Sequence, residues 1–167
     1  MVKIIQENNS LLRQVAQAVP NTEVNSLKLK KIIAEMNEAL DKEEDGVAIA
    51  APQIGVSLRI FIVSHKILAN KKNQGVKNQV YINPVIKKIS NRKISLDEGC
   101  LSVRWIYGKT KRADKILIEA YNEKGNKFAK EGTGLLAQVF QHETDHLDGV
   151  LFIDHATELQ KIEPEKK

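Results

Sequence analysis

The stretch that most constrains this chain is Gly134-Leu135-Leu136-Ala137-Gln138-Val139-Phe140, followed by Gln141-His142-Glu143-Thr144-Asp145-His146. It is rich in strong helix formers, holds no proline and meets a stop at Asp148-Gly149. On a helix, residues four apart share a face, with Cβ atoms about 5–6 Å apart. His142 and His146 can therefore aim at one cation. Glu143 projects about 100° round the axis from His142. That places a carboxylate beside such a cation instead of on it, where a base for activated water belongs. The same spacing also arises by chance, so this stretch alone leaves a metal site and an ordinary helix both open.

Two imidazoles leave a metal site incomplete, and the rest of the chain offers few further ligands. Cys100, in Asp97-Glu98-Gly99-Cys100-Leu101-Ser102, is the single cysteine, so no intramolecular disulfide is expected. Gly99 gives the backbone there room for close approach. His65 and His155 are the weaker competitors: one opens a polar stretch, the other lies past the Gly149 stop.

A chain of 167 residues with 42% hydrophobic and 28% charged content suits one globular domain over 1–167, with a short flexible tail from about 156. No apolar run is long enough to span a bilayer, and the N-terminus lacks a signal core, so a cytoplasmic protein without membrane attachment is expected. The net charge of +5 comes from scattered lysine clusters, and the eight aromatic residues do not interleave them as a base-stacking surface requires. Solvated surface charge is the reading.

Asn9-Ser10 can cap a short helix over residues 11–19, closed by Pro20. A longer helix is expected from Val24 to Lys42, with Leu29, Ile33, Met36 and Leu40 as its buried stripe. The period then changes. Arg59-Ile60-Phe61-Ile62-Val63 reads as a strand buried on both faces, and Ser64 to Gln79 as a mobile surface loop. Asn83-Pro84 interrupts an extended run where an edge or bulge is expected. Residues 115–121 and 127–129 flank a stretch of turn-forming composition, Asn122 to Asn126, and predict a hairpin. Helices, then many short strands, then one helix apolar on several sides predict an α+β fold, its antiparallel sheets packed around a central helix that carries the HExxDH motif.

Three segments together resemble the peptide deformylase family. They are Gly46-Val47-Ala48-Ile49-Ala50-Ala51-Pro52-Gln53, Glu98-Gly99-Cys100-Leu101-Ser102 and Gln141-His142-Glu143-Thr144-Asp145-His146, with Asn83-Pro84 and Asp148 to Phe152 in support. The resemblance spans about residues 10–154 and implies a hydrolase that takes the formyl group from formyl-methionine of nascent polypeptides, releasing formate. It assigns Cys100, His142 and His146 as ligands of one divalent metal, with Fe(II) implied for the cell; zinc, nickel and cobalt also suit a thiolate with two imidazoles. It makes Glu143 the general base and acid, and Gln53 and the Leu101 backbone N–H the oxyanion donors. Val47, Ala48, Leu96 and Gly99 match its substrate-binding positions, joined by Leu135 and Val139 from the helix face leading to His142. Gln138, polar on that face, is expected at the rim. Glu98 and Arg112 match a pair that braces the cysteine strand. Asp145 either orients a ligand imidazole or makes a helix salt bridge. Ribosome association is a further implication.

This chain departs from the family pattern at Ala48 and Ile49, where Gly and Leu are usual, and at Arg104, where a proline is usual. Ala48 is a family position whose backbone pairs with the bound peptide, so a methyl group there bears on substrate fit. Two other readings stand beside the first. An HExxH metallopeptidase would take its third ligand downstream, where His155 is available, and a catalytically inactive deformylase-like binding protein would need none of the chemistry.

Overall fold

The computed structural model describes residues 2–69 and 75–164. Among them run helices α1 (Leu27–Asp41), α2 (His65–Leu68) and α3 (Leu135–Leu147). The strands are β1 (Ala48–Ala50), β2 (Ile60–Val63), β3 (Gln79–Ile89), β4 (Lys93–Cys100), β5 (Val103–Ala113), β6 (Lys115–Tyr121), β7 (Lys127–Thr133) and β8 (Thr157–Lys161). They form two antiparallel sheets, one ordered β1-β2-β3-β6-β7 and the other β4-β5-β8. The fold is α+β, as expected. No helix among the described residues is long and apolar enough to cross a membrane.

The buried strand β2 explains how the larger sheet is covered. Successive side chains of a strand face opposite sides. Ile60 and Ile62 pack with Leu29, Ile33, Met36 and Leu40 of α1, whereas Phe61 and Val63 pack with Ala137, Val139 and Phe140 of α3. All four residues of β2 are fully buried, and each such side chain contributes about 1.5–3 kcal/mol. Tyr81 of β3 stacks on Phe61 at 4.6 Å and meets Phe140 edge-on at 5.4 Å.

Gly132 of β7 lets α3 sit this close. A Cβ at that position would lie 2.7 Å from the Phe140 ring, so Gly132→Ala is expected to cost about 1–3 kcal/mol through overpacking. Denaturant unfolding measures it; an unchanged midpoint would mean that α3 can retreat from β7 freely.

Long-range bonds override several local expectations. The first helix is a single 3-10 turn, Ser10–Arg13, capped by Asn9. Beyond it the Ala16 N–H donates to the Leu147 carbonyl at 2.8 Å and Gln17 bridges to Leu58, so the chain stays extended. Helix α1 starts at Leu27 and not Val24, because Asn25 is left-handed (φ 76°) and Ser26 Oγ accepts the Leu29 N–H at 3.1 Å. The stretch expected as a mobile loop begins with α2, and Asn78 near its end accepts the His65 N–H and donates to Asn37 and Asp41; residues 70–74 lie outside the described residues. The bulge at Asn83-Pro84 is present as a register shift between Ile82 and Val85, and β6 and β7 form the hairpin. The tail expected to be flexible is ordered over β8, which pairs with β5, and the Ile162 N–H donates to the Trp105 carbonyl at 2.7 Å. Backbone pairing along an open strand edge offsets the ordering entropy there. Residues 165–167 of that expectation lie outside the described residues.

Candidate metal centre

β1 and β4 are edge strands of different sheets, and both line a cavity of about 270 Å³. β4 ends at Cys100, where the register with β5 shifts and a tight turn through Leu101 and Ser102 begins. Cys100 Sγ lies 3.2 Å from His146 Nε2, and the His142 and His146 rings, one helical turn apart, have centroids 5.0 Å apart. The ligand atoms of Cys100, His142 and His146 all fall within 4.8 Å of one another. His155, the alternative ligand, is instead 3.4 Å from Asp145.

Glu98 holds this arrangement together. Its buried carboxylate accepts from His142 Nδ1 at 2.6 Å, Arg112 Nη2 at 2.6 Å and Nε at 3.0 Å, Thr110 Oγ1 at 2.5 Å, and Gln138 Nε2 at 3.2 Å. Burial works against charge on the His142 ring, but its interactions with Cys100 and Glu98 outweigh it and hold the ring well above the usual imidazole range; with Nδ1 committed to Glu98, Nε2 is the ring atom left to face a cation. Burial pushes the Glu98 carboxyl up, but the hydrogen bonds from His142 and Arg112 outweigh it and hold the group far below the usual carboxylate range. The glycine beside it has its own reason: a Cβ on Gly99 would meet the ring of Tyr107, its cross-strand partner, at 2.7 Å.

Gln53 is fixed from the other wall. Its Oε1 accepts the Ala50 N–H at 2.8 Å, which turns Nε2 toward Ser102 Oγ at 3.1 Å and Cys100 Sγ at 3.7 Å. The Ser102 N–H also reaches the sulfur, at 3.4 Å.

The residues fit a cation on two further counts. Glu143 Oε2 and His146 Nδ1 are buried without a protein hydrogen-bond partner, a cost of about 1–3 kcal/mol each that a cation with its attendant solvent relieves. A thiolate with two imidazoles is a donor set for first-row divalent metals. Burial pushes the Glu143 carboxyl up to about 7, against the attraction of His142. Burial and the neighbouring His142 push His146 down, so its ring is neutral.

Glu143, Gln53, Leu101, Val47, Ala48, Gly99, Leu135 and Val139 line the cavity, together with Cys100 and His142. Leu96 is not among the lining residues. Alternation puts it on the Glu98 face of β4, two residues farther from the sulfur. Gln138 also lines the cavity, but as a buried residue and not at an exposed rim, donating to the Asp97 carbonyl at 2.8 Å as well as to Glu98. Of the two roles open to Asp145, the structure has the salt bridge: its partner is Arg112 at 2.7 Å, and the imidazole is oriented by Glu98. Gln141, unassigned from sequence, is buried and bonded to both the N–H and the carbonyl of Ala113, tying α3 to the end of β5. A signal for these existed: Gln138, Gln141 and Asp145 form a polar stripe at i, i+3, i+7 on a helix that is otherwise apolar on several sides, and buried polar groups need partners. Ala48 is only 5% exposed and packs in the core shared with Phe61 and Phe140, so its methyl is turned into the fold.

The polypeptide deformylase family model matches residues 1–162. A peptide deformylase of Fusobacterium nucleatum is 38% identical over 159 residues, covering 95% of this chain and 86% of the relative. The crystal structure of peptide deformylase from Thermotoga maritima superposes with a TM-score of 0.81 at 35% identity, over 94% of this chain and 98% of that one. A Met-Ala-Ser-bound class I type b peptide deformylase from Acinetobacter baumannii gives 0.82 at 30% identity, over 93% and 99%.

Proposed function

This chain belongs to the polypeptide deformylase family, and from that premise we propose that Cys100, His142 and His146 hold its metal while Glu143 moves the proton. The enzyme is a metal-dependent hydrolase that removes the N-terminal formyl group of formyl-methionine, releasing formate. The observation that carries the assignment of roles is the unpartnered, buried Glu143 Oε2 beside a Cys/His/His cluster of which Cys100 and His142 line the same cavity as Glu143.

When bound, the divalent ion supplies Lewis acidity toward the attacking water and the formyl carbonyl. Glu143 takes the proton of that water and returns it to the methionine nitrogen as the C–N bond breaks. Gln53 Nε2 and the Leu101 backbone N–H receive the carbonyl oxygen as its charge grows; Gln53 suits this because its other amide atom is already held by Ala50. The methionine side chain enters between Val47, Leu135 and Val139, past Gly99. The peptide backbone lies along the free edge of β1 at Ala48, with its formyl end by Gln53 and Cys100.

Fe(II) is the proposed metal, with zinc, nickel or cobalt also accepted by the donor set. We read α3 as the central helix, since Val139 and Phe140 pack on the larger sheet while Gln138 and Gln141 bond to β4 and β5. The chain is read as one catalytic domain that meets formylated nascent peptides in the cytoplasm, at the ribosome.

Anaerobic, iron-loaded protein given a formyl-Met peptide should release formate stoichiometrically with new amine. Cobalt substitution should give a thiolate charge-transfer band that Cys100→Ser lacks. No formate from fully loaded protein would sink the reading.

A further inference from the structure

Arg104 lines the cavity, as does Asp45, one of its ion-pair partners. It follows the Cys100 turn at the start of β5, and its side chain is only 20% exposed. Its guanidinium donates to Glu43 Oε2 and, from Nη1, to Asp45 Oδ2 at 2.8 Å, both in the segment that joins α1 to β1. Trp105 beneath it is held in a left-handed conformation (φ 67°), with the guanidinium carbon 5.0 Å from the ring centroid. A strained non-glycine backbone beside a cleft points to a constraint imposed by the surroundings. The bridged segment is gripped from its other side too: Lys66 Nζ donates to the carbonyls of Glu43 and Glu44 at 2.7 and 3.1 Å.

We infer that Arg104 is a positioning and specificity-determining residue whose bridge to Glu43 and Asp45 sets the cleft wall along which the peptide beyond the formyl-methionine lies. The inference deepens the deformylase reading and rests on it. Gln53 is next to Cys100, whereas Asp45 is 55% exposed at the opposite approach to β1. A peptide lying along β1 with its reacting end at Gln53 therefore runs out past Gly46 and Asp45, under the bridge. Arg104 also lines a second cavity, of about 330 Å³, shared with Leu101, Ala39 and Gln6. Truncating its side chain would join the two spaces and leave Glu43 and Asp45 without their common cation, so the wall would lose its fixed position. The methionine pocket, bounded by Val47, Leu135 and Val139, does not depend on the bridge.

The test compares formyl-Met-Ala with formyl-Met-Ala-Ser on the metal-loaded enzyme, alongside equilibrium binding of Met-Ala-Ser. Arg104→Ala should raise the KM of the longer substrate by about tenfold and that of the shorter by less than about threefold, with kcat moving less than KM, and should weaken Met-Ala-Ser binding in parallel. Arg104→Lys should restore part of the difference, since lysine keeps the charge but not the two-pronged geometry. Asp45→Asn should shift the same ratio in the same direction, and the double variant no further than Arg104→Ala alone. If Arg104→Ala does not fold, Asp45→Asn makes the same comparison. An equal shift for both substrates, or a fall confined to kcat, overturns the inference. Absence of formate from the unaltered enzyme would instead count against the deformylase reading, and Met-Ala-Ser binding would still report on the bridge.

Discussion

Formate release by the iron-loaded enzyme is expected to fall by roughly 10²–10⁴-fold when Glu143 is replaced by alanine, the range that a positioned general base contributes. Metal content should be retained, because Glu143 is offset round α3 from His142 and is not one of the clustered ligand residues. The variant should also be at least as resistant to heat as the parent. Glu143 is 3% exposed and one carboxylate oxygen has no protein partner, so the fold bears a desolvation cost that alanine removes. Burial pushes its carboxyl up to about 7, which suits a group that must both accept and return a proton near neutrality. Rate, metal content and thermal midpoint together make the check. Activity within a few-fold of the parent, with metal still bound, would remove Glu143 from the mechanism.

The second large effect concerns a residue that touches neither substrate nor cation. Arg112→Ala should cost about 3–5 kcal/mol of stability, the loss seen when one member of a buried ion pair is deleted. Arg112 and Glu98 are 6% and 3% exposed in their side chains, and Arg112 also binds Asp145. Without it, a buried carboxylate keeps only Thr110, Gln138 and His142 as donors. The altered charge on Glu98 passes directly to the His142 ring it holds. Metal affinity should therefore drop by about 10–100-fold, as when the partner of a ligand imidazole is disturbed. Denaturant unfolding and competition with a metal chelator measure the two effects. A variant as stable as the parent, with equal metal affinity, would reduce the Glu98–Arg112 pair to decoration.

Which parts of this protein were legible from residues alone follows from the range of the interactions involved. The α1 stripe and the doubly buried strand β2 could be read because burial imposes a period on the chain itself. The Cys100, His142 and His146 cluster could be read because two of its members share a helical face and the third is the only cysteine. The 3-10 turn at Ser10–Arg13, the late start of α1 and strand β8 could not. Each is decided by a bond to a distant partner, such as Ala16 to Leu147 or Ile162 to Trp105, or by one left-handed residue, Asn25.

The same division runs through the site. Side-chain chemistry and helical spacing along the sequence determined that a thiol, two imidazoles and a carboxylate were on offer, and local order along the chain sets their identities. Only the tertiary structure decided that Glu98 and not Asp145 orients His142, that Gln138 is buried, that Leu96 is not among the residues lining the cavity, and that Arg104 pairs with Glu43 and Asp45. Those outcomes depend on which buried polar groups meet across two sheets and a helix, and a group removed from water takes whichever partner the packing brings within about 3 Å.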